Sequence, residues 1–305
     1  MKVLVTGGAG FIGSHLVDRL IKEDHKVVVI DNLSTGKKEN LNPKARFYQI
    51  DIQDPEIPQI FQKEKPEVVF HFAAQIDVRK SVKDPMSDAK VNILGSLNLL
   101  GNCKKYKVKK FIFASSVGVY GEPKTLPVKE NHPLNPIAPY PVTKLAIEKY
   151  LNYFQTQGLD FLSLRYSNIY GPRQSSGGEG GVVAIFIDKI LKGERPIIFG
   201  NGEQTRDFLY VDDAVKAAIL ALNAPSSSIY NVGTNKEITI NDLLELLSKI
   251  LKVKVKPIFQ SLRQGEIIKS RVDYSKAKKE LNWQPKYNLE EGLKETVKWF
   301  RGYLP

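Results

Sequence analysis

The chain has 305 residues, 42% hydrophobic and 26% charged, with 45 Lys and Arg against 33 Asp and Glu and a net charge of +12. That length suggests about two domains; no run approaches the roughly 18 apolar residues of a membrane span, and a single cysteine, Cys103, excludes an internal disulfide framework and fits a reducing cytoplasm. The basic residues are scattered, their clusters read as solvated faces and no nucleic-acid motif accompanies them, which leaves an anionic small molecule as the partner that this charge allows.

Lys2–Thr6 reads as a buried parallel strand, and Phe11, Ile12, Leu16 and Leu20 follow at helical spacing. The first apolar run, Val3-Leu4-Val5, stops at Thr6-Gly7-Gly8, too soon for a secretory signal. Between strand and helix stands Gly7-x-x-Gly10-x-x-Gly13. Glycine permits the tight turn and lets a ligand approach the backbone. The helix N-terminus beyond supplies N–H groups and a positive dipole end, which suit a pyrophosphate. Residues 26–30 form a second strand ending in Asp31, about 20 residues on, where an acid bonds adenosine ribose hydroxyls and repels the 2′-phosphate of NADP. The cofactor expected is NAD.

Residues 47–50, 68–72, 111–114 and 161–165 predict further strands, with helical patterns at 91–106 and 140–157. Such alternation means an α/β fold with a doubly wound parallel sheet. After Tyr170 the texture changes. Gly171-Pro172 and "SSGGEGG" at 175–181 mark a break, and a smaller mixed part follows, with a helix over 238–251 for which Asn241 is the expected cap.

The chemistry concentrates in "YPVTK" at 140–144. Tyr140 and Lys144 share a helix face, and Pro139 and Pro141 suit its first turn. An ammonium beside a phenol favours the phenolate, which makes tyrosine a usable base. Ser116 ends a strand upstream and is the expected hydrogen-bond donor to the substrate oxygen; alternation turns Ser115 the other way. Tyr166 and Tyr170 read as packing residues, and the four histidines lack metal-ligand spacing.

These motifs, with "DNLSTG" (31–36), "HFAAQ" (71–75), "VNILGSLNLL" (91–100), "SSVGVYG" (115–121), "LRYSNIYGPRQ" (164–174) and "FGNGEQTRDFLYVDD" (199–213), resemble the extended short-chain dehydrogenase/reductases over essentially the whole chain. Within them the set is most similar to the UDP-glucose 4-epimerase family. The resemblance implies a Rossmann-type NAD-binding domain at 1–170, with a returning segment about 205–230, and a nucleotide-sugar domain at 171–204 and 231–305. It places Gly7, Gly10, Phe11, Ile12, Gly13, Asp31, Asn32, Ser34, Gly36, Asp51, Ile52, Phe72, Ala73, Ala74 and Asn92 against NAD, with Tyr140 and Lys144, and Asp51 and Ile52 beside the adenine. It makes Tyr140, Lys144 and Ser116 catalytic. Asn168, Arg206 and Arg263 would meet the diphosphate of a UDP-sugar, Val183 and Phe199 the uracil, Glu266 the uridine ribose and Ser270 the sugar. It also implies a homodimer built on the 91–106 and 140–157 helices. Where relatives carry a phosphate-contacting Lys after "HxAA", this chain has Ile76-Asp77, with Arg79 beyond. Two other activities compete with this reading: a 4,6-dehydratase or decarboxylase, and a non-enzymatic NAD sensor. Val117-Gly118 stand where the dehydratases carry Asp-Glu, and the Tyr/Lys pair speaks against a sensor.

Overall fold

The computed structural model describes residues 1–177, 180–225, 227–262 and 267–303. Its strands are β1 (Lys2–Thr6), β2 (Lys26–Asp31), β3 (Arg46–Gln49), β4 (Val68–His71), β5 (Lys110–Ser116), β6 (Asp160–Tyr166), β7 (Asn168–Tyr170), β8 (Ile197–Phe199), β9 (Thr205–Arg206), β10 (Phe208–Tyr210), β11 (Ser228–Val232), β12 (Ile238–Thr239) and β13 (Ile258–Gln260). Its helices are α1 (Phe11–Lys22), α2 (Ile57–Glu64), α3 (Val78–Lys83), α4 (Pro85–Ala89), α5 (Ser96–Lys105), α6 (Pro139–Thr156), α7 (Val182–Leu191), α8 (Val211–Ala221), α9 (Ile240–Leu251), α10 (Ser275–Leu281) and α11 (Leu289–Tyr303).

Seven parallel strands form the main sheet in the order β11-β6-β5-β4-β1-β2-β3. Helices cover both faces, so the central strands β1, β2 and β4 are buried runs rather than alternating ones. Val3, Val5, Val29 and Phe70 enter one core with α1 and α8. Leu4, Val28, Val69 and Phe111 enter another with α2, α5 and α6. The chain leaves β1 for β2 and β3 on one side, then crosses to β4 on the other. That reversal opens a crevice beyond the carboxyl ends of β1 and β4, the place where doubly wound sheets bind ligands. The sheet is a Rossmann-type fold.

The 91–106 helix is not uniform. Lys90–Gly95 is a π-helical turn that widens the helix before α5. Three short two-stranded pairings, β7 with β10, β8 with β13 and β9 with β12, carry the later part of the chain. One local expectation fails there. The cap of α9 is Thr239, whose hydroxyl accepts from Asp242 N at 2.9 Å. Asn241 lies inside the first turn and its amide instead bonds Asn201 O and Glu203.

Candidate active site

The glycine turn links β1 to α1 at the crevice. Gly7 has φ +71° and its N donates to Ile30 O at 2.9 Å. A Cβ there would lie 2.6 Å from Ala73 N, and one on Gly13 would overlap Gly7 O. Only glycine therefore lets the turn fold under α1 and pack beside Phe72 and Ala73. Gly10 caps α1 with no side-chain hydrogen bond, and no acid occupies the first turn with Phe11 and Ile12. The uncapped N–H groups and unopposed dipole fit a pyrophosphate.

Asp31 is buried, with Ala9 N on Oδ2 at 2.9 Å and Leu33 N on Oδ1 at 2.8 Å. It clamps the loop while keeping acceptor capacity for a ribose, since a carboxylate has about four lone-pair sites. Asn32 donates to Asp51 Oδ2 at 2.6 Å, and Ser34 N donates to the Asn32 side chain at 2.9 Å. Gly36 lies beside Ala9 and Asp31. Ile52 departs from the adenine expectation. Its side chain is buried in the α2/α5 core beneath Gly95, and its carbonyl accepts from Asn98 at 2.8 Å. Ala73 N donates to Thr6 Oγ1 at 3.2 Å, and Ala74 is half-buried beside it. These residues together fit a dinucleotide.

The reactive pair faces the same crevice. α6 begins at Pro139, with Tyr140, Lys144 and Glu148 on successive turns. Ser116 ends β5, accepts Gly118 N at 3.1 Å and lies beside the Tyr140 phenol, whose ionisation it favours. Ser115 turns away and donates to buried Glu148 at 2.7 Å. Lys144 is buried, donates to Ala114 O at 2.8 Å and lies 5.7 Å from the centre of the Tyr140 ring. Burial lowers the Lys144 ammonium to about 8, against the pull of Asp88 and Glu148. The phenol of Tyr140 is pushed above its ordinary value rather than below it, by burial first and then by Asp88, with Ser116 opposing.

Of a polar network behind the pair, the sequence reading named only Asn92, and that against NAD. His71 is sandwiched between Thr6 Oγ1 and Ser96 Oγ, each at 2.7 Å. Asn92, on the π-helical turn, accepts Gln75 N at 2.8 Å and donates to Gln75 O, Asp88 and Thr143. Arg165 pairs with Glu148 at 2.6 Å, both buried. Asp88 and Asn92, four apart in a helical stretch, were the available signal.

The expected substrate residues are less gathered. Asn168 is exposed at the start of β7, its N donating to Asp207 O at 2.9 Å. Phe199 is half-buried at the end of β8. Val183 is buried in the core and presents no open side chain. The Arg206 guanidinium donates to Thr205 O and Ile267 O, each at 2.8 Å. Half-buried Ser270 donates through its N to Thr205 Oγ1 at 3.4 Å. Arg263 and Glu266 lie outside the described residues. Glu122 was not anticipated: its carboxylate takes Ile268 N at 2.8 Å and so ties the chain before Ser270 to the loop after Ser116.

Comparison with known proteins agrees with the fold. The model of the NAD dependent epimerase/dehydratase family matches residues 3–233. The UDP-glucose 4-epimerase of Thermotoga maritima, solved with UDP-glucose, superposes with a TM-score of 0.98 at 50% identity, covering 100% of both chains. The Thermus thermophilus UDP-glucose 4-epimerase, solved with NAD, gives 0.94 at 42% identity over 100% of both. A UDP-N-acetylglucosamine 4-epimerase from Methanobrevibacter ruminantium, solved with UDP-N-acetylmuramic acid, gives 0.95 at 41% identity over 99% of both.

Proposed function

This chain belongs to the NAD dependent epimerase/dehydratase family, and on that premise we propose that it interconverts UDP-glucose and UDP-galactose through a 4-keto intermediate. The observation that carries this reading is the Tyr140 ring 5.7 Å from the buried Lys144 ammonium on the same helix face, with Ser116 beside the phenol. NAD, held at Gly7, Gly10, Gly13 and Asp31, supplies a reversible hydride acceptor for C4. Tyr140 takes the C4 hydroxyl proton as the ketone forms and returns it when the alcohol re-forms on the opposite face. Ser116 holds the same oxygen. Lys144 contributes positive charge near the phenolate. Val117 and Gly118 can move no proton, which weighs against a dehydratase or decarboxylase.

The later part of the reading is also proposed. Residues 1–170 with 205–230 hold NAD; 171–204 with 231–305 hold the UDP-sugar through Phe199, Arg263 and Glu266, joined by Asn168 and Arg206 from the NAD-binding part. Ser270 is small, so the site also admits the N-acetylated pair. The chain works as a cytoplasmic homodimer in galactose metabolism.

The test offers each nucleotide sugar alone to the NAD-loaded protein and follows exchange at C4. UDP-glucose is expected from UDP-galactose with no net NADH; a product lacking the C6 oxygen or the C6 carbon would instead support a lyase. Tyr140→Phe is expected to cut turnover by about 10²–10⁴-fold with NAD binding nearly intact.

A further inference from the structure

Behind the reactive face lies a carboxylate that the proposed reaction leaves unused. Asp88, on α4, has 0% exposure. Its oxygens take the Gln75 amide at 2.8 Å, the Asn92 amide at 3.1 Å and the Thr143 hydroxyl at 3.2 Å, all neutral partners. Thr143 directly precedes Lys144, and its hydroxyl also bonds Tyr140 O at 2.8 Å. A carboxylate buried among neutral groups is unfavourable in itself, so its position calls for a reason.

Among the described residues around the pair, the other charged and titratable groups are paired, neutral or at least partly exposed. On α6, Glu148 is neutralised by Arg165 of β6. At the end of β4, His71 is held neutral, burial and Lys144 lowering it to about 3. Tyr120, beyond β5, donates to Asn231 Oδ1 at 2.6 Å and is pushed up to about 12. Arg79, Lys80 and Lys83 of α3, Lys90 of the π-helical turn, Lys104 and Lys105 of α5 and Asp160 of β6 are exposed. Among the described residues around the pair, Asp88 is the buried carboxylate without a guanidinium beside it, while Asp77 is half-buried at the start of α3 and Asp84 exposed before α4. Its field favours the Lys144 ammonium and opposes the Tyr140 phenolate.

We propose that Asp88 is a positioning residue for proton transfer: it joins the Asn92 turn to the helix face carrying Tyr140 and Lys144, and its charge sets the pH window in which that pair exchanges protons. This rests on the 4-epimerase reading. A structural carboxylate would hold the turn; this one also tunes the chemistry.

The test compares wild type with Asp88→Asn, which keeps the shape and removes the charge. Ionisation of Tyr140 is read as tyrosinate absorbance in the NAD-loaded protein, by difference from the Tyr140→Phe counterpart in the same background. The pH profile of kcat on UDP-galactose is read in parallel. Removing the anion lowers the proton affinity of both groups, so the titration and both limbs of the profile are expected to move down by about 1 pH unit. Limbs that stay in place while the plateau falls overturn the proposal and assign Asp88 to packing. Asp88→Glu keeps the carboxylate and is expected to hold the titration near its wild-type position. If D88N does not fold, Asp88→Ser removes the charge in its place: a lowered titration supports the proposal, and an unmoved one overturns it. The absorbance titration needs no turnover, so a chain without C4 exchange would sink the proposed function and leave this test readable.

Discussion

His71 shows how one buried side chain couples the site to stability. Its ring nitrogens both have hydroxyl partners, and burial and Lys144 depress its pKa from 6.5 to about 3. The unfolded chain therefore takes up the proton first as pH falls. The stability that His71 contributes is complete above its unfolded pKa and is lost as pH drops towards 3, at up to about 1.4 kcal/mol per pH unit. Unfolding measured at about pH 7 and about pH 4 is expected to show a smaller loss for His71→Asn than for wild type; equal losses would show that other groups carry the acid sensitivity. Side-chain direction along β5 was legible at this scale. Period two sends Ser115 to Glu148 and Ser116 to Tyr140. The sign of the Tyr140 shift was not, because desolvation depends on everything packed around the ring.

At the scale of elements, β1, its turn and α1 form a unit whose geometry depends on absent side chains. A methyl at Gly13 would overlap Gly7 O and lie 3.1 Å from Gly8 Cα. Gly13→Ala is expected to destabilise the fold by about 1–3 kcal/mol. It should also weaken NAD binding by roughly tenfold or more, as the turn shifts from under the pyrophosphate. A thermal melt and an NAD titration check both; unchanged NAD affinity would mean that the turn does not form the cradle. The π-helical turn at Lys90–Gly95 follows the same logic of close approach, since a Cβ on Gly95 would lie 2.7 Å from Ile52 Cδ1. Such turns concentrate at functional sites, and this one carries Asn92. Nothing in local spacing separates a π-turn from an α-helix, so a continuous helix was the natural reading.

Across the whole molecule, the two sheet faces are covered but one helical surface is not. Met86, Leu94, Val142, Tyr150 and Tyr153 stand exposed on α4, the π-helical turn and α6. Leu100 does not join them, being at 0% exposure in the core. A second copy covering this surface is the expected homodimer. Light scattering at micromolar concentration is expected to give twice the chain mass, and Leu94→Arg to shift it towards the monomer. A wild-type monomer at that concentration would end the idea.

The sequence by itself determined the alternating strands and helices, the glycine turn, Asp31 at the end of β2 and the i, i+4 pairing of Tyr140 with Lys144. Each is a local pattern, set by backbone sterics or helical period within a few residues. Only the tertiary structure decided that Ile52 and Val183 turn into the core, that Thr239 caps α9, and that Arg206 grips the Ile267 carbonyl. It alone brought Gln75, Asp88, Asn92 and Thr143 to one point. Those contacts join residues up to 61 positions apart in the chain, where no period links them.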